Sequence, residues 1–292
     1  MLQLHRRPHV RIFLEIFSGK GDLSAALRRK GFTVLEWDIL RGPEWDLLRP
    51  GNQRLVRGWI AAGIICGVHL GTPCQSFTRA RDRGPLKQPG QKGWPSRLRS
   101  DACPWGLPEL INPPDLLAVR IGNALARFTV SILNACRIQQ LPVTVENPAG
   151  SRLWILPPFS SLARHPRWRE MVTHYCMWGK PWKKPTRFAG MFIDLDPASR
   201  LCTGRATCCR TGRSHQSLQG TGPNHIMWTK IAEPYPRSLC DSVAACFSRA
   251  HAHSLVSRLD SLMRGCYSPT RCGRLKFQML LVCLAAAAPA AD

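Results

Sequence analysis

One cysteine in this chain is placed for chemistry. In Gly71-Thr72-Pro73-Cys74-Gln75-Ser76-Phe77-Thr78, Cys74 follows the apolar run Ile64 to Leu70 and opens a turn. A thiol at such a strand end can have its thiolate favoured by backbone N–H groups and by nearby cations, here Arg79 and Arg81, which makes it a nucleophile candidate. The plainer reading is a small buried hydrophobe. A second apolar run, Val143 to Glu146, ends in Glu146-Asn147-Pro148 and puts a carboxylate at another strand end. Nearer the start, Phe17-Ser18-Gly19-Lys20-Gly21 lies between a strand and a helix. Glycines there let a ligand approach the backbone, and the helix amino terminus offers free N–H groups to an anion. Glu36 stands where an acid hydrogen-bonds a ribose diol in doubly wound nucleotide folds. Trp37 is placed to stack on a purine, and Asp46 to accept from an adenine amino group. Singly these are a tight turn and solvated strand ends; together they point to a nucleoside-type cofactor.

Alternating strands and helices must position these residues. Val10 to Phe17 reads as a strand, and Asp22 to Lys30 as a helix with Leu23, Ala26 and Leu27 on one face. Gly31 stops that helix, Phe32 to Trp37 is a second strand ending on Glu36 and Asp38, and Ile64 to Leu70 is a third. This βαβ progression predicts an α/β fold, a doubly wound and mostly parallel sheet with ligands at the carboxyl ends of its strands. A helix is predicted over Leu116 to Ile138 and a strand over Val143 to Glu146. Trp168 to Phe192 reads as a helix, a basic turn and a strand, and Leu239 to Leu262 as a helix. Between Arg79 and Arg99 there are seven basic residues and one acid, Asp82, in a stretch without apolar periodicity. It reads as a mobile basic flap or a solvated linker.

The chain has 292 residues, 41 Lys+Arg against 18 Asp+Glu and a formal charge of +23. At 44% hydrophobic and 20% charged it is too apolar for a disordered polybasic tail and too charged for a membrane bundle. Met1 to His9 lacks the pattern of a signal peptide, and the apolar run Met279 to Ala288 is roughly half a bilayer span. The 13 cysteines show no regular spacing, which predicts an intracellular, reducing compartment, the nucleus or the cytoplasm according to the cell type. The positive balance favours a polyanionic partner.

The ordered set Phe17-Ser18-Gly19-Lys20-Gly21, Glu36-Trp37-Asp38, Asp46-Leu47, Pro73-Cys74-Gln75-Ser76-Phe77-Thr78 and Glu146-Asn147-Pro148 resembles the DNA (cytosine-5) methyltransferase family, whose motifs read F-x-G-x-G, E-W-D, P-C-Q-x-F-S and E-N-V. The likeness runs from about Ile12 to Phe192, and more weakly to Phe247. It implies a Rossmann-like sheet of the S-adenosylmethionine-dependent methyltransferase type with a small irregular insert. It also implies S-adenosyl-L-methionine held by Phe17, Ser18, Gly19, Gly21, Glu36, Trp37, Asp46, Leu47 and Pro73. By the same resemblance Cys74 adds to carbon 6 of a flipped cytosine, Glu146 holds or protonates nitrogen 3, Asn147 fixes the local backbone, and the Arg79 to Arg99 loop closes over the base. Lys184 and Arg187, in Trp182-Lys183-Lys184-Pro185-Thr186-Arg187, stand where the family has Q-x-R-x-R, and Lys lacks the planar fork of Arg. The G-N-x-V element is missing, and only Pro236-Arg237-Ser238-Leu239-Cys240 matches the segment after it.

The implied organisation is a catalytic domain over 10–200 with the flap at 79–114, a Cys-rich insert at 201–222 as a reduced target-recognition region, a returning helical segment at 223–262 and a disordered tail at 263–292. The implied partner is DNA, with RNA as the alternative substrate and a nucleic-acid-binding relative without turnover as a third reading; no obligate protein partner is implied. Asn112-Pro113-Pro114-Asp115 resembles the N-P-P-[YFW] of amino-methyltransferases, but Asp115 replaces the aromatic and the match reads as chance. Cys202, Cys208, Cys209 and His215 have the residue types of a zinc site without a paired C-x-x-C, so the expectation is an irregular insert with no metal.

Overall fold

The computed structural model describes residues 12–82, 84–91 and 95–265. Six strands form one sheet: β1 (Ile12–Ile16), β2 (Thr33–Trp37), β3 (Ile65–Leu70), β4 (Val143–Pro148), β5 (Trp168–His174) and β6 (Pro185–Met191), in the order β2-β1-β3-β4-β6-β5. The first four are parallel, β6 runs antiparallel to β4, and β5 antiparallel to β6. The expected doubly wound, mostly parallel α/β sheet is therefore present. Strands β1 and β3 are buried end to end except at Cys66, as strands covered on both faces must be.

Helices α2 (Pro50–Ala61) and α3 (Pro113–Ile138) cover one face: Val56 and Ile60 of α2, and Leu125, Phe128, Ile132 and Leu133 of α3, pack with Ile12, Leu14, Ile16, Val68, Val143 and Val145. Helix α3 is long and apolar enough to cross a membrane by length and composition, but this face of it is core. Helix α1 (Asp22–Arg29) and residues 237–247 of the last helix cover the other face. There Ser24 reaches Glu15 and Phe247 packs edge-on against Phe13, 4.6 Å between centroids. Short helices α4 (Pro157–Leu162) and α5 (Trp228–Ile231) complete the set, with Arg237–Gly265 as α6. The first compact unit ends at Phe247.

Two sequence expectations are corrected and one element is added. Trp168 to Phe192 holds no α-helix; it is the β5–β6 hairpin around a 3-10 turn, Tyr175–Trp178, because antiparallel pairing of Trp168–His174 with Pro185–Met191 wins over local composition. Helix α2 is an addition to the expected elements; Pro50 at its start and the i, i+4 pair Val56 and Ile60 explain it. The segment after Arg79 is irregular but anchored. Arg99 is buried and donates to Ser76 O and Oγ, Pro104 O, Asn123 Oδ1 and Val119 O, with its guanidinium 3.9 Å from the Phe77 ring centre. Leu98, Leu107, Leu110 and Val119 form a small core beneath it. Asn112-Pro113-Pro114-Asp115 is the start of α3, where Asn112 Nδ2 donates to Asp115 Oδ2 at 3.0 Å, which accounts for the motif without a flipped base. Of the expected tail, residues 263–265 lie in α6, and 266–292 lie outside the described residues.

Glu15, in the middle of β1, is buried beside Ser24, and that burial lifts its carboxyl from 4.5 to about 7. An acid whose folded pKa is raised binds its proton more tightly when folded, so stability falls as pH rises from about 4.5 to about 7, by on the order of 3 kcal/mol. Glu15→Gln should abolish that slope in chemical denaturation and raise stability most at pH 8; an unchanged pH profile would remove Glu15 as its source.

Candidate active site

The chain leaves β1 toward β2 on one side and later enters β3 on the other, so the switch point of the sheet lies between the carboxyl ends of β1 and β3. Open α/β sheets bind ligands there. The loops at that point are Phe17–Gly21 and Gly71–Thr78, and they touch: Gly71 N–H donates to Ile16 O at 2.9 Å, and a Cβ on Gly71 would sit 2.8 Å from Phe17 O. Only glycine allows this approach.

Cys74 is half-buried in the second loop, its carbonyl accepting from Phe77 and Thr78 N–H, both at 2.9 Å. Asn147 holds the same loop from β4: its Nδ2 donates to Thr72 O at 2.6 Å, and Thr72 Oγ1 lies 2.9 Å from Thr129 Oγ1 of α3. Glu146, Cys74 and Lys184 are within electrostatic reach of one another. Burial raises the Glu146 carboxyl, against the pull of Lys184 and of Tyr235, and lowers Lys184. Burial, reinforced by Glu146, pushes Cys74 up to about 11. The expectation that Arg79 and Arg81 favour a Cys74 thiolate is corrected. Arg79 bonds Asp101 and Gly150 O, and Arg81 bonds Ser96 O near Asp115, so neither charge is spent on the thiol.

Two residues that sequence reasoning missed organise Glu146. Tyr235 OH donates to Glu146 Oε2 at 3.0 Å, His69 Nε2 lies 3.2 Å from the Tyr235 oxygen, and His69 Nδ1 lies 2.8 Å from Thr144 Oγ1. With the phenol proton on the carboxylate, Nε2–H donates to Tyr235 and Nδ1 accepts from Thr144, a neutral histidine. Burial alone holds His69 neutral, down to about 3. Both had a sequence signal: His69 is a polar residue inside an apolar strand, and Tyr235 directly precedes the Pro236 segment.

Lys184 lies by this group, with Nζ donating to Ala232 O at 2.6 Å and lying 4.6 Å from the Tyr175 ring centre. Arg187 is drawn elsewhere. It faces Asn147 across the β4–β6 pairing, but its Nη1 pairs with Glu170 at 3.0 Å and its guanidinium lies over Trp154.

The expected cofactor residues divide. Gly19 and Gly21 have φ of +54° and +73°, and Gly19 N–H donates to Asp38 Oδ2 at 2.8 Å, which pins the turn. Phe17 takes φ +59°, a strained value for a non-glycine residue, against Phe128. Ser18 Oγ is buried without a hydrogen-bond partner. Glu36 is buried at the end of β2 and paired with Arg28 and Arg41. Asp46 is half-buried and caps Leu48 N–H with Oδ1, and Pro73 is half-buried beside Cys74. Trp37 is corrected: it is core, with Nε1 donating to Trp45 O at 2.7 Å and its ring edge-on to Trp45 and Trp59, so it stacks on no purine. Leu47 is likewise buried in that core. A glycine turn, an orphaned serine hydroxyl and a buried acid at the next strand end are what a nucleoside cofactor needs. Asn147 Oδ1 and Arg187 Nε are also buried and unpaired, so three of the six such atoms among the described residues belong to expected site residues.

No family model matches the chain, and neither does any curated protein sequence. Several solved structures are similar in part, among them two methyltransferases. A mutant of Spodoptera frugiperda DNMT2 is 16% identical with a TM-score of 0.32, over 61% of this chain and 49% of that one. The S. pombe Dnmt2 methyltransferase is 14% identical with a TM-score of 0.33, over 61% and 50%. The chain spans about half the length of each.

Two outcomes are expected here. Alkylation of Cys74, followed by peptide mass mapping, should accelerate with pH toward a midpoint near 11, and Glu146→Gln should lower that midpoint by removing the carboxylate charge. Tyr235→Phe should raise the Glu146 pKa, read by carbon NMR of labelled glutamate, and cost about 1–3 kcal/mol for the unpaired His69. A Glu146 resonance that titrates unchanged would break the link from Tyr235 to Glu146.

Proposed function

We propose that this protein transfers a methyl group from S-adenosylmethionine to carbon 5 of cytosine in DNA, through a covalent adduct of Cys74 with a flipped base. The observation that carries the reading is the meeting of Cys74, Glu146 and Lys184 beside the glycine turn at the switch point of the sheet. Cytosine carbon 5 is a weak nucleophile. A thiolate adding to carbon 6 forms a C–S bond and pushes the ring electrons toward carbon 5 and nitrogen 3, and Glu146, its carboxyl raised by burial, supplies the proton nitrogen 3 needs. When bound, S-adenosylmethionine supplies an electrophilic methyl group, and Ser18, Gly19, Gly21 and Glu36 are the residues suited to hold it. After carbon 5 is methylated, a base removes its proton, nitrogen 3 returns its proton to Glu146 and Cys74 leaves as thiolate, restoring the ring.

Resting as a thiol pushed up to about 11, Cys74 is poorly nucleophilic in the free protein. Addition therefore needs the thiol proton removed once the base is in place, and the lowered Lys184 is the nearby amine whose state can change with it. Asn147 positions rather than reacts, holding the Thr72 carbonyl that sets the Cys74 turn. The reading of a binder without turnover draws on Glu36, whose two oxygens already pair with Arg28 and Arg41.

The test is trapping. With cofactor present, DNA carrying 5-fluorocytosine should form a covalent adduct stable to denaturing electrophoresis; Cys74→Ser should form none, and Glu146→Gln should slow it at least about 100-fold, at the lower range for a general acid. An adduct on structured RNA alone would move the substrate to RNA, and no adduct on either, with DNA bound tightly and no cofactor bound in calorimetry, would leave the binder.

A further inference from the structure

Away from the candidate active site, the densest set of soft ligand atoms spans the insert after Leu201 and the turn after β5. The sulfurs of Cys176, Cys202 and Cys208 and a ring nitrogen of His215 all lie within 4.8 Å of one another. The three cysteines are buried together, and His215 is half-buried. Cys202 Sγ lies 3.7 Å from His215 Nε2. Tetrahedral zinc with bonds of about 2.3 Å to sulfur and about 2.1 Å to nitrogen sets that edge at about 3.6 Å. The ligand edge is already at metal-bound length.

The surroundings select ligand states. His215 Nδ1 is 3.1 Å from Arg205 O, and a carbonyl only accepts, so Nδ1 carries the proton and Nε2 turns its lone pair to the sulfurs. Cys209 N–H donates to Cys202 Sγ at 3.4 Å, a contact that suits a thiolate ligand. The chain then doubles back: Thr211 and Gly212 N–H both meet Cys208 O, Gly212 has φ +66°, and Cys208 N–H donates to Arg213 O. That turn returns His215 beside Cys208. Cys176 arrives from the 3-10 turn after β5, and Arg210 donates to its carbonyl at 3.2 Å. Cys209, expected from the sequence to be the fourth member, points out and lies by Met177 Sδ.

We infer that Cys176, Cys202, Cys208 and His215 bind one zinc ion. Three thiolates and an imidazole are soft and borderline donors that suit zinc rather than magnesium or calcium, and four protein ligands leave no open position, so the site is structural. Neither packing nor a disulfide accounts for the set: packing gives no reason for Arg205 to aim His215 into a sulfur cluster, and a disulfide among three cysteines leaves the third and the histidine without a role. The ion joins the insert to the β5–β6 hairpin, one residue from Tyr175, whose ring faces Lys184. This site stands whatever the protein's reaction.

Full-length protein purified under reducing conditions should contain about one zinc per chain by inductively coupled plasma mass spectrometry, as a closed structural site requires. Replacement by cobalt should give the visible bands and thiolate charge-transfer absorption of a tetrahedral site with three sulfur ligands and one nitrogen. Cys176→Ser and His215→Ala should each lose most of the zinc, and Cys209→Ser should keep it. Because the first two variants can fail to fold, the wild-type cobalt spectrum and Cys209→Ser carry the test independently. Zinc-free wild type that takes up no cobalt, a disulfide among Cys176, Cys202 and Cys208 in the reduced preparation, or loss of the ion in Cys209→Ser would overturn the site.

Discussion

A carboxyl, a thiol and an amine sit half-buried within reach of one another at the carboxyl ends of β3 and β4, and most of what surrounds them serves to make that arrangement tolerable. Burial penalises every charged form, so it drives Glu146 and Cys74 up and Lys184 down, each toward neutrality. The chain answers with hydrogen bonds of its own. Thr144, His69 and Tyr235 form a line ending on Glu146, and the carbonyl of Ala232 holds Lys184. The line is only possible because β3 and β4 pair in a register that sets His69 opposite Thr144. Strand pairing thus fixes the proton inventory of the site.

The Cys74 loop is held from two sides. Asn147 reaches it from β4 through Thr72 O, and Arg99 reaches it from the irregular segment through Ser76 and the Phe77 ring. Arg99 has no carboxylate partner among the described residues; carbonyls and hydroxyls disperse its charge, and burial brings it down to about 10. Nearby, Arg152 joins Asp82 and Asp101, and Arg79 also binds Asp101. Basic residues between Arg79 and Arg99 that look in sequence like a surface for a polyanion are therefore partly internal struts. Arg164, Arg167, Arg205 and Arg213, by contrast, are exposed.

Short-range pattern carried much of this in the sequence, and long-range pairing did not. Strands β1 to β4, α1 and α3 were legible because apolar runs and stop residues such as Gly31 are local signals. The β5–β6 hairpin was not, since its seven-residue strands alternate burial irregularly and owe their state to each other. Cys74, Glu146 and Asn147 were legible as strand-end residues, whereas Tyr235 meets Glu146 across 89 positions and Cys176 joins a cluster 26 positions downstream. Trp37 misled because an aromatic residue at a strand end can turn to ligand or to core, and only Trp45 and Trp59 decide which.

The double ion pair at Glu36 bears on whether the cradle can still take a ribose. A carboxylate offers about four lone-pair sites, and Arg28 and Arg41 each engage one oxygen, so half of the acceptor capacity remains. The pairs also hold the carboxylate's position before any ligand arrives. Gly21 keeps the approach open: a Cβ there would lie 2.8 Å from Glu36 Oε2, and φ of +73° is a conformation that side-chain-bearing residues rarely adopt. With Ser18 Oγ still unpaired beside it, the turn is short of partners rather than saturated. The arginines thus act as supports for the acid, and the turn keeps the free donors and acceptors that the proposed cofactor would use.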